Sequence, residues 1–478
     1  MITVFLIFMP LVVMLAVWAS GERHHLQVTL LNIAALLHCI AVAILWIRPQ
    51  WDDLVPRQVS SLVGQDALSL TVLSVVSVLF LLSSLQTIKY FPMVRKRFIA
   101  NAEKFLSPAL VIICLLGFLC SMTLVASARN FGLLWVAMEA TTLASAPLII
   151  FRRSAGSLEA MWKYILICSV GIGFALFGTM LLAIAGGNNH AGMDMALLAQ
   201  CNLHPVWFKA AFVFILAGYG TKMGLALFHS WMPDAYSEAP GVLSVLSSGA
   251  LLACAFLGVV RVLEIAPAEA RIFCRNLMIA LGLLSLALAA FFIMRQQDYK
   301  RMLAYSSMEH MGLAAILWAM GLAYAALLHI IVHSLLKVAL FMTADNIQLA
   351  YNTQKISSVS GLLGNSRKNG LVYLIAILAL CGMPPSPLFV TEIMLVAGAG
   401  PWLGGLVLLL LFVVFGGMTY HAMRMTMGEK VALAVDESEI RQLEKLSFIP
   451  RTVLILAVLA GVVILTIWLV GSFQTAVN

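Results

Sequence analysis

The sequence predicts an all-α polytopic membrane protein of about 14 transmembrane helices, the seventh and twelfth of them broken. Composition is the first reason. Of 478 residues 62% are hydrophobic and only 10% charged, with mean hydropathy +1.01, whereas soluble domains run at about 45–50% apolar and about 25% charged. Run length is the second: apolar stretches of about 20 residues, enough to cross about 30 Å of hydrocarbon, follow one another along the whole chain. The third is a pair of interrupted stretches five helices apart. One is loosened by Gly218, Gly220 and Gly224 around Lys222, the other by Gly382, Pro384, Pro385 and Pro387 just before Glu392. Because five is odd, the two broken helices run in opposite directions, a pattern that points to an ion or substrate site near the midplane.

In order, the spans fall at approximately 2–18, 26–47, 66–88, 106–126, 130–151, 159–185, 207–230, 241–263, 274–294, 302–320, 322–345, 370–398, 402–424 and 451–471. Residues 1–20 are short enough for a signal peptide, but they lack a basic leading segment and run straight into the next span, so they count as the first helix. Lys and Arg sort by side. Loops leaving odd-numbered helices hold about 20 of them, including Lys89, Arg95, Arg152, Arg153, Lys300 and Arg301, and the other loops about 6. An even number of spans then puts both termini outside an inner (cytoplasmic) membrane, with Arg261, Arg271 and Arg275 against the trend. The net charge of +8 is this topological signal, so no nucleic-acid partner is expected. Eight scattered cysteines, without CxxC or a His/Cys cluster, predict no disulfide framework, iron–sulfur cluster or zinc site. The longest polar stretch, roughly 428–450, reads as a solvated connection or surface helix.

Ionisable residues inside the apolar runs carry the functional reading. An ammonium at the bilayer centre costs about 2.5–3.5 kcal/mol on insertion scales, so Lys222 needs a polar cavity or an ion path around it. Glu139 lies about 15 Å of helix rise into the fifth span, near mid-membrane. A buried carboxyl and a buried ammonium each favour the neutral form, whereas mutual attraction favours the charged pair; a Glu and a Lys that approach and separate therefore exchange protons. The plainer alternative is a static pair that fixes helix packing. In the eleventh span His329, His333 and Lys337 recur every four residues, at about 6 Å intervals along one face. Imidazole takes a proton on one nitrogen and releases one from the other, so this face reads as a proton path. The HxxxH spacing also suits a metal, but no third ligand adjoins it in sequence, and no metal or other cofactor is expected. Glu392, after the proline break, reads as the exit end. Glu309 and His310 in the tenth span divide evenly between path and packing, and Asp234 and Asp345, near helix ends, between capping and transport. The glycines of GYGTKMG lack the strand and spacing of a nucleotide loop.

The block GYGTKMGLALFHSWMPDA, followed by EAPGVLSVLSSGA, resembles the K-x(6)-H-x-W-[LM]-P-D-A signature of the antiporter-like subunits of respiratory complex I, membrane-bound hydrogenases and multisubunit sodium/proton antiporters. LAYSSMEHMG and HIIVHSLLKVALF resemble that family's tenth- and eleventh-helix signatures, and the likeness runs over about residues 66–424. SSMEHMG and GMPPSPLFVTE look closest to hydrogenase-4 component F, a subunit type of group 4 nickel–iron hydrogenases. The resemblance implies two inverted five-helix repeats, helices 4–8 and 9–13. Glu139, Lys222, the relay of His329, His333 and Lys337, and Glu392 take the family's proton-path positions, with His229, Glu309, His310, Ser247 and Ser248 as accessory candidates. Family members commonly carry a lysine or histidine in helix 8. Here Ser247, Ser248, Ala253 and Cys254 occupy that region, so either water held by the serines connects Lys222 to the histidines or transfer is impaired. The chain stops soon after helix 14, so the long lateral arm of the most distal complex I subunit is not expected.

The expected organisation is thus N-terminal helices 1–3 over 1–105, the first repeat over 106–264, the second over 265–425, and a cytoplasmic connection with helix 14 over 426–478. The expected function is proton translocation in a respiratory oxidoreductase complex, through a Glu/Lys/His relay coupled to redox chemistry in other subunits. Expected partners are other membrane subunits of a hydrogenase or complex I-like assembly, peripheral redox subunits indirectly, lipids, and protons or sodium. The alternatives are a sodium/proton antiporter subunit and a non-conducting scaffold.

Overall fold

A backbone polar group in hydrocarbon has no water to bond, so a chain this apolar must satisfy its amides within helices. The computed structural model describes residues 1–49, 60–100, 105–187, 192–431, 433–435 and 437–477. Among them there are isolated bridges, such as Val63 with Ala128 and Asp298 with Lys355, but no strand.

The chain divides into two compact units, Met1–Leu277 and Met278–Asn478. The first holds α1 (Ile2–Ala19), α2 (His24–Ile47), α3 (Ala67–Ala100), α4 (Pro108–Ser127), α5 (Phe131–Ile149) and α6 (Ala155–Ala185), a broken helix made of α7a (Pro205–Met223) and α7b (Trp231–Glu238), and α8 (Gly241–Glu264). Helix α9 (Ala268–Met294) leads into the second unit. That unit holds α10 (Tyr299–Ala319), α11 (Ala323–Tyr351), a second broken helix made of α12a (Arg367–Leu380) and α12b (Pro387–Gly398), α13 (Gly400–Thr426) and α14 (Phe448–Val477). A short amphipathic helix, Glu437–Leu446, occupies the polar stretch before α14.

Local chemistry sets the starts. Ser107 caps α4 with Pro108 at its first position, Asn130 accepts from Gly132 and Leu133 at the head of α5, and Ser154 with Ser157 forms a capping box on α6. Asp298 accepts from the amides of Lys300 and Arg301 and so fixes the entry to α10.

Among the described residues eleven helices are long and apolar enough to cross a membrane. The remaining apolar runs fall short for different reasons: α7a carries Lys209 and Lys222, α10 carries Lys300, Arg301 and Glu309, and α12 is divided into pieces of 14 and 12 residues. Lys222, Glu309, His310 and Glu392 lie on these three helices, whereas Glu139 on α5 and His329, His333 and Lys337 on α11 lie on helices long and apolar enough to cross.

Some expectations need correction. Gly218 does not loosen its helix: a Cβ there would fall 2.6 Å from the Gly171 carbonyl and the Ala175 Cβ, so the glycine permits close packing of α7a on α6. Only Gly224, at φ +75°, sits in the break. Leu225 N–H bonds back to Gly220 O and closes the helix in a Schellman turn. Helix α11 continues to Tyr351, which moves Asp345 from a helix end to an interior position. Helix α8 contains a π-helical segment, Leu246–Leu251, which holds both Ser247 and Ser248.

Candidate proton-relay site

In the first unit the break after Gly224 leaves Lys222 in the last turn of α7a, wholly buried against α5 and α6. Its ammonium donates to Tyr164 Oη (3.2 Å) and Thr141 Oγ1 (3.4 Å), with the Tyr164 ring centroid 5.0 Å away. Tyr164 Oη in turn lies 2.7 Å from Ser145 Oγ. Glu139, half-buried on α5, accepts from Ser169 Oγ of α6 (2.9 Å) and from Thr142 Oγ1 (3.3 Å). Glu139 and Lys222 form no direct ion pair; each bonds a different one of two consecutive α5 threonines, Glu139 to Thr142 and Lys222 to Thr141. Trp231, at the head of α7b, donates to Thr221 O (2.9 Å) and packs against Tyr164 with ring centroids 4.9 Å apart and tilted by 53°, tying both sides of the break to the lysine's surroundings. His229 lies half-buried within the break.

Ser247 completes this cluster. With Ser145, Tyr164, Trp231 and Tyr236 it lines a cavity of about 10 Å³, roughly the volume one water needs. Ser248, inside the π segment, donates to the carbonyl of Val245, the residue that precedes the segment (3.4 Å).

In the second unit α10 and α11 pack antiparallel, and their buried polar residues meet in register. Lys300 pairs with Asp345 (2.6 Å); Lys337 donates to Leu303 O (2.7 Å) and Ser306 Oγ (2.5 Å); the His310 ring lies 4.9 Å from His333 and 5.1 Å from His329. Glu309, 2% exposed, lies one turn beyond Ser306 on the same flank of α10. His310 Nδ1 is 3.0 Å from His329 Nε2, and His329 Nδ1 is 2.8 Å from Thr391 Oγ1 on α12b. From Asp345 to His329 the row rises about 24 Å along α11, against a hydrocarbon thickness of about 30 Å.

This chain has a defined polarity. With the Thr391 hydroxyl donating to Leu388 O (2.8 Å), His329 Nδ1–H donates to Thr391 and His310 Nδ1–H donates to His329 Nε2. Turning the hydroxyl toward His329 reverses each bond. A row of that kind passes a proton by switching tautomers in sequence.

Glu392 is next to Thr391 but turns away from the histidines. Its carboxylate lies against Gly382, where a Cβ would collide with it, and lines a 340 Å³ cavity with Cys381, Phe389 and residues of α13. Gly382 is itself at φ +68°, so both backbone shape and space call for glycine there.

The structure thus gathers Glu139, Lys222 and Ser247 in one cluster and Glu309, His310, His329, His333 and Lys337 in another, with Glu392 adjoining the second beside Thr391, which bonds His329. Sequence spacing ranks His310 as an accessory; it is the imidazole that joins His329 and His333. Tyr164, Ser145, Ser306 and Thr391 carry no signal in a single sequence, since apolar spans hold many hydroxyl residues. Asp345 had one available signal, its position 45 residues after Lys300 on the antiparallel neighbouring helix.

Buried lysines, glutamates and histidines on broken helices, in an all-helical chain with many spans, define an antiporter-like membrane protein. Residues 128–419 match the family model described as NADH:quinone oxidoreductase/Mrp antiporter, TM, and the chain belongs to that family. The matched region contains every residue of both clusters and Glu392. The chain is 35% identical over 336 residues, 67% of its length and 70% of the relative's, to the hydrogenase-4 component F homolog of Methylacidiphilum infernorum. Its fold is similar to a chain of the membrane-bound sulfane sulfur reductase, an archaeal respiratory membrane complex, at TM-score 0.81 and 21% identity, covering 98% of this chain and 95% of that one. It is also similar to a chain of respiratory complex I from Thermus thermophilus, at TM-score 0.75 and 23% identity, covering 97% and 98%.

Proposed function

We propose that the chain is a proton-translocating membrane subunit of a respiratory oxidoreductase complex of the group 4 hydrogenase or complex I-like kind. Its partners are other membrane subunits and, through them, peripheral redox subunits. Electron transfer elsewhere in the complex changes the separation of Glu139 and Lys222, and protons move through the Lys222 cluster and the row of Glu309, His310, His329, His333 and Lys337, with Glu392 at the exit. The observation that carries this reading is the buried row on α10 and α11, which spans most of the hydrocarbon depth, with His310 hydrogen-bonded to His329 and in ring contact with His333.

The proposed topology has fourteen spans, counting the broken α7 and α12 and the polar α10. Helices α4–α8 and α9–α13 form inverted repeats over 106–264 and 265–425, and both termini lie outside the inner membrane. Support comes from the two breaks five helices apart and from the sorting of Lys and Arg between loops.

The test is Lys222→Ala in the intact complex reconstituted into vesicles. Donor-driven proton uptake should fall by the contribution of this subunit while assembly and electron transfer persist; an unchanged proton yield would refute the role of Lys222. A pH change driven by sodium without any electron donor would instead make the chain a sodium/proton antiporter subunit.

A further inference from the structure

In the first unit a 590 Å³ groove opens between α2, α3 and the start of α4, and none of its lining residues belongs to the Lys222 cluster. Its walls are mostly apolar, Val28, Ile33 and Leu36 on α2 and Leu81, Leu85 and Ile88 on α3, with Thr29 and Asn32 as the polar members on α2. On α2 it runs from His24 to Leu36, about 18 Å of helix rise, close to one leaflet of a bilayer whose hydrocarbon is about 30 Å thick. Just beyond Leu36 it is closed. His38 bonds Ser77 Oγ of α3 (2.8 Å) and Thr123 Oγ1 of α4 (2.9 Å), and further along Trp46 Nε1 donates to Ser74 Oγ (2.9 Å), so α2 and α3 are clasped through the other leaflet. A membrane-spanning helix of a neighbouring subunit needs a groove through both leaflets; an acyl chain needs only one.

The mouth differs chemically from the walls. His24 and His25, at the N-terminus of the 24-residue α2, line it, and no side chain caps that helix end. Exposed cations stand within two residues of the lining: Arg23 beside His24, Lys89 beside Ile88, and Arg153 two residues from Phe151. Glu22 is the acid of the same turn. The cations belong to loops on the Lys/Arg-rich side of the chain, where anionic headgroups concentrate.

We infer that this groove is a binding site for an anionic glycerophospholipid, with one acyl chain between α2 and α3 and the phosphate at the mouth beside the α2 N-terminus. The bound lipid fills a one-leaflet gap among the N-terminal helices.

The full chain, purified with its complex in mild detergent, is delipidated and supplied with equal amounts of phosphatidylglycerol and phosphatidylcholine, and the retained lipid is read by native mass spectrometry. Wild type should retain phosphatidylglycerol in preference. Each of Arg23→Gln, Lys89→Gln and Arg153→Gln should reduce that preference by about fivefold, the effect of one surface cation. Leu85→Trp, which fills the groove, should abolish retention of either lipid with the complex still assembled. Equal retention of the two lipids by wild type, or full retention by the Leu85→Trp chain, would overturn the inference. So would a cysteine at position 85 that crosslinks to another subunit and not to a photoactivatable acyl chain.

Discussion

A buried ionisable side chain is tolerated in hydrocarbon only when something nearby satisfies it, and the residues here differ in what that partner is. Lys222 rests on a tyrosine and a threonine hydroxyl, Lys337 on a carbonyl and a serine, and Lys300 on the Asp345 carboxylate. Only Lys300 has a full counter-charge, which makes it the structural member of the set. Asp345→Ala should destabilise the chain by about 3–5 kcal/mol because it strands a buried ammonium, while Lys300→Met with Asp345→Leu should be close to neutral; thermal unfolding in detergent compares them. Thr391→Val should slow proton transfer by about tenfold, the effect of a barrier raised by about 1.4 kcal/mol, with little change in stability. At the membrane boundary, burial pushes the Asp66 carboxyl up, but hydrogen bonds and attraction from Arg261, with further bonds from Ser69, outweigh it and hold the group below its ordinary 3.8. A lowered carboxyl stabilises the fold above its unfolded value and loses that contribution as pH falls through the folded one. Unfolding midpoints should therefore decline below about pH 4 more steeply in wild type than in Asp66→Asn, and equal slopes would rule the contribution out.

The all-helical build, both helix breaks and the buried positions of the principal charged residues were legible in the sequence because hydrocarbon imposes simple rules: long apolar runs are helices, and a charged residue within one needs a polar partner. What escaped was contact across helices. His310 sits one residue from Glu309, and sequence alone cannot say which of the two faces the α11 histidines. Gly218 and Gly224 look alike in GYGTKMG, yet one seats a neighbouring helix and the other turns the chain. The π segment of α8 leaves no mark in an apolar run, although it places Ser247 against the Tyr164 cluster, where family resemblance leads one to expect a lysine or histidine. Gly382→Ala tests the second break: a Cβ there requires an unfavourable left-handed backbone, at about 1–2 kcal/mol, and displaces the Glu392 carboxylate. Proton release should fail before the fold does, with the unfolding midpoint only modestly lowered; activity at the wild-type rate would show that Glu392 needs no fixed position.

Among the described residues the candidate ionisable groups are divided between helices apolar enough to cross a membrane, α5 and α11, and the broken or more polar α7, α10 and α12 packed with them. Each unit carries its own buried cluster beside its own broken helix, and the family match spans both. The most direct test is the proton-to-electron ratio of the reconstituted complex bearing His310→Ala and His329→Ala together. Electron transfer should continue with the ratio reduced by the contribution of this subunit; a ratio equal to wild type would contradict proton movement along the α10 and α11 row.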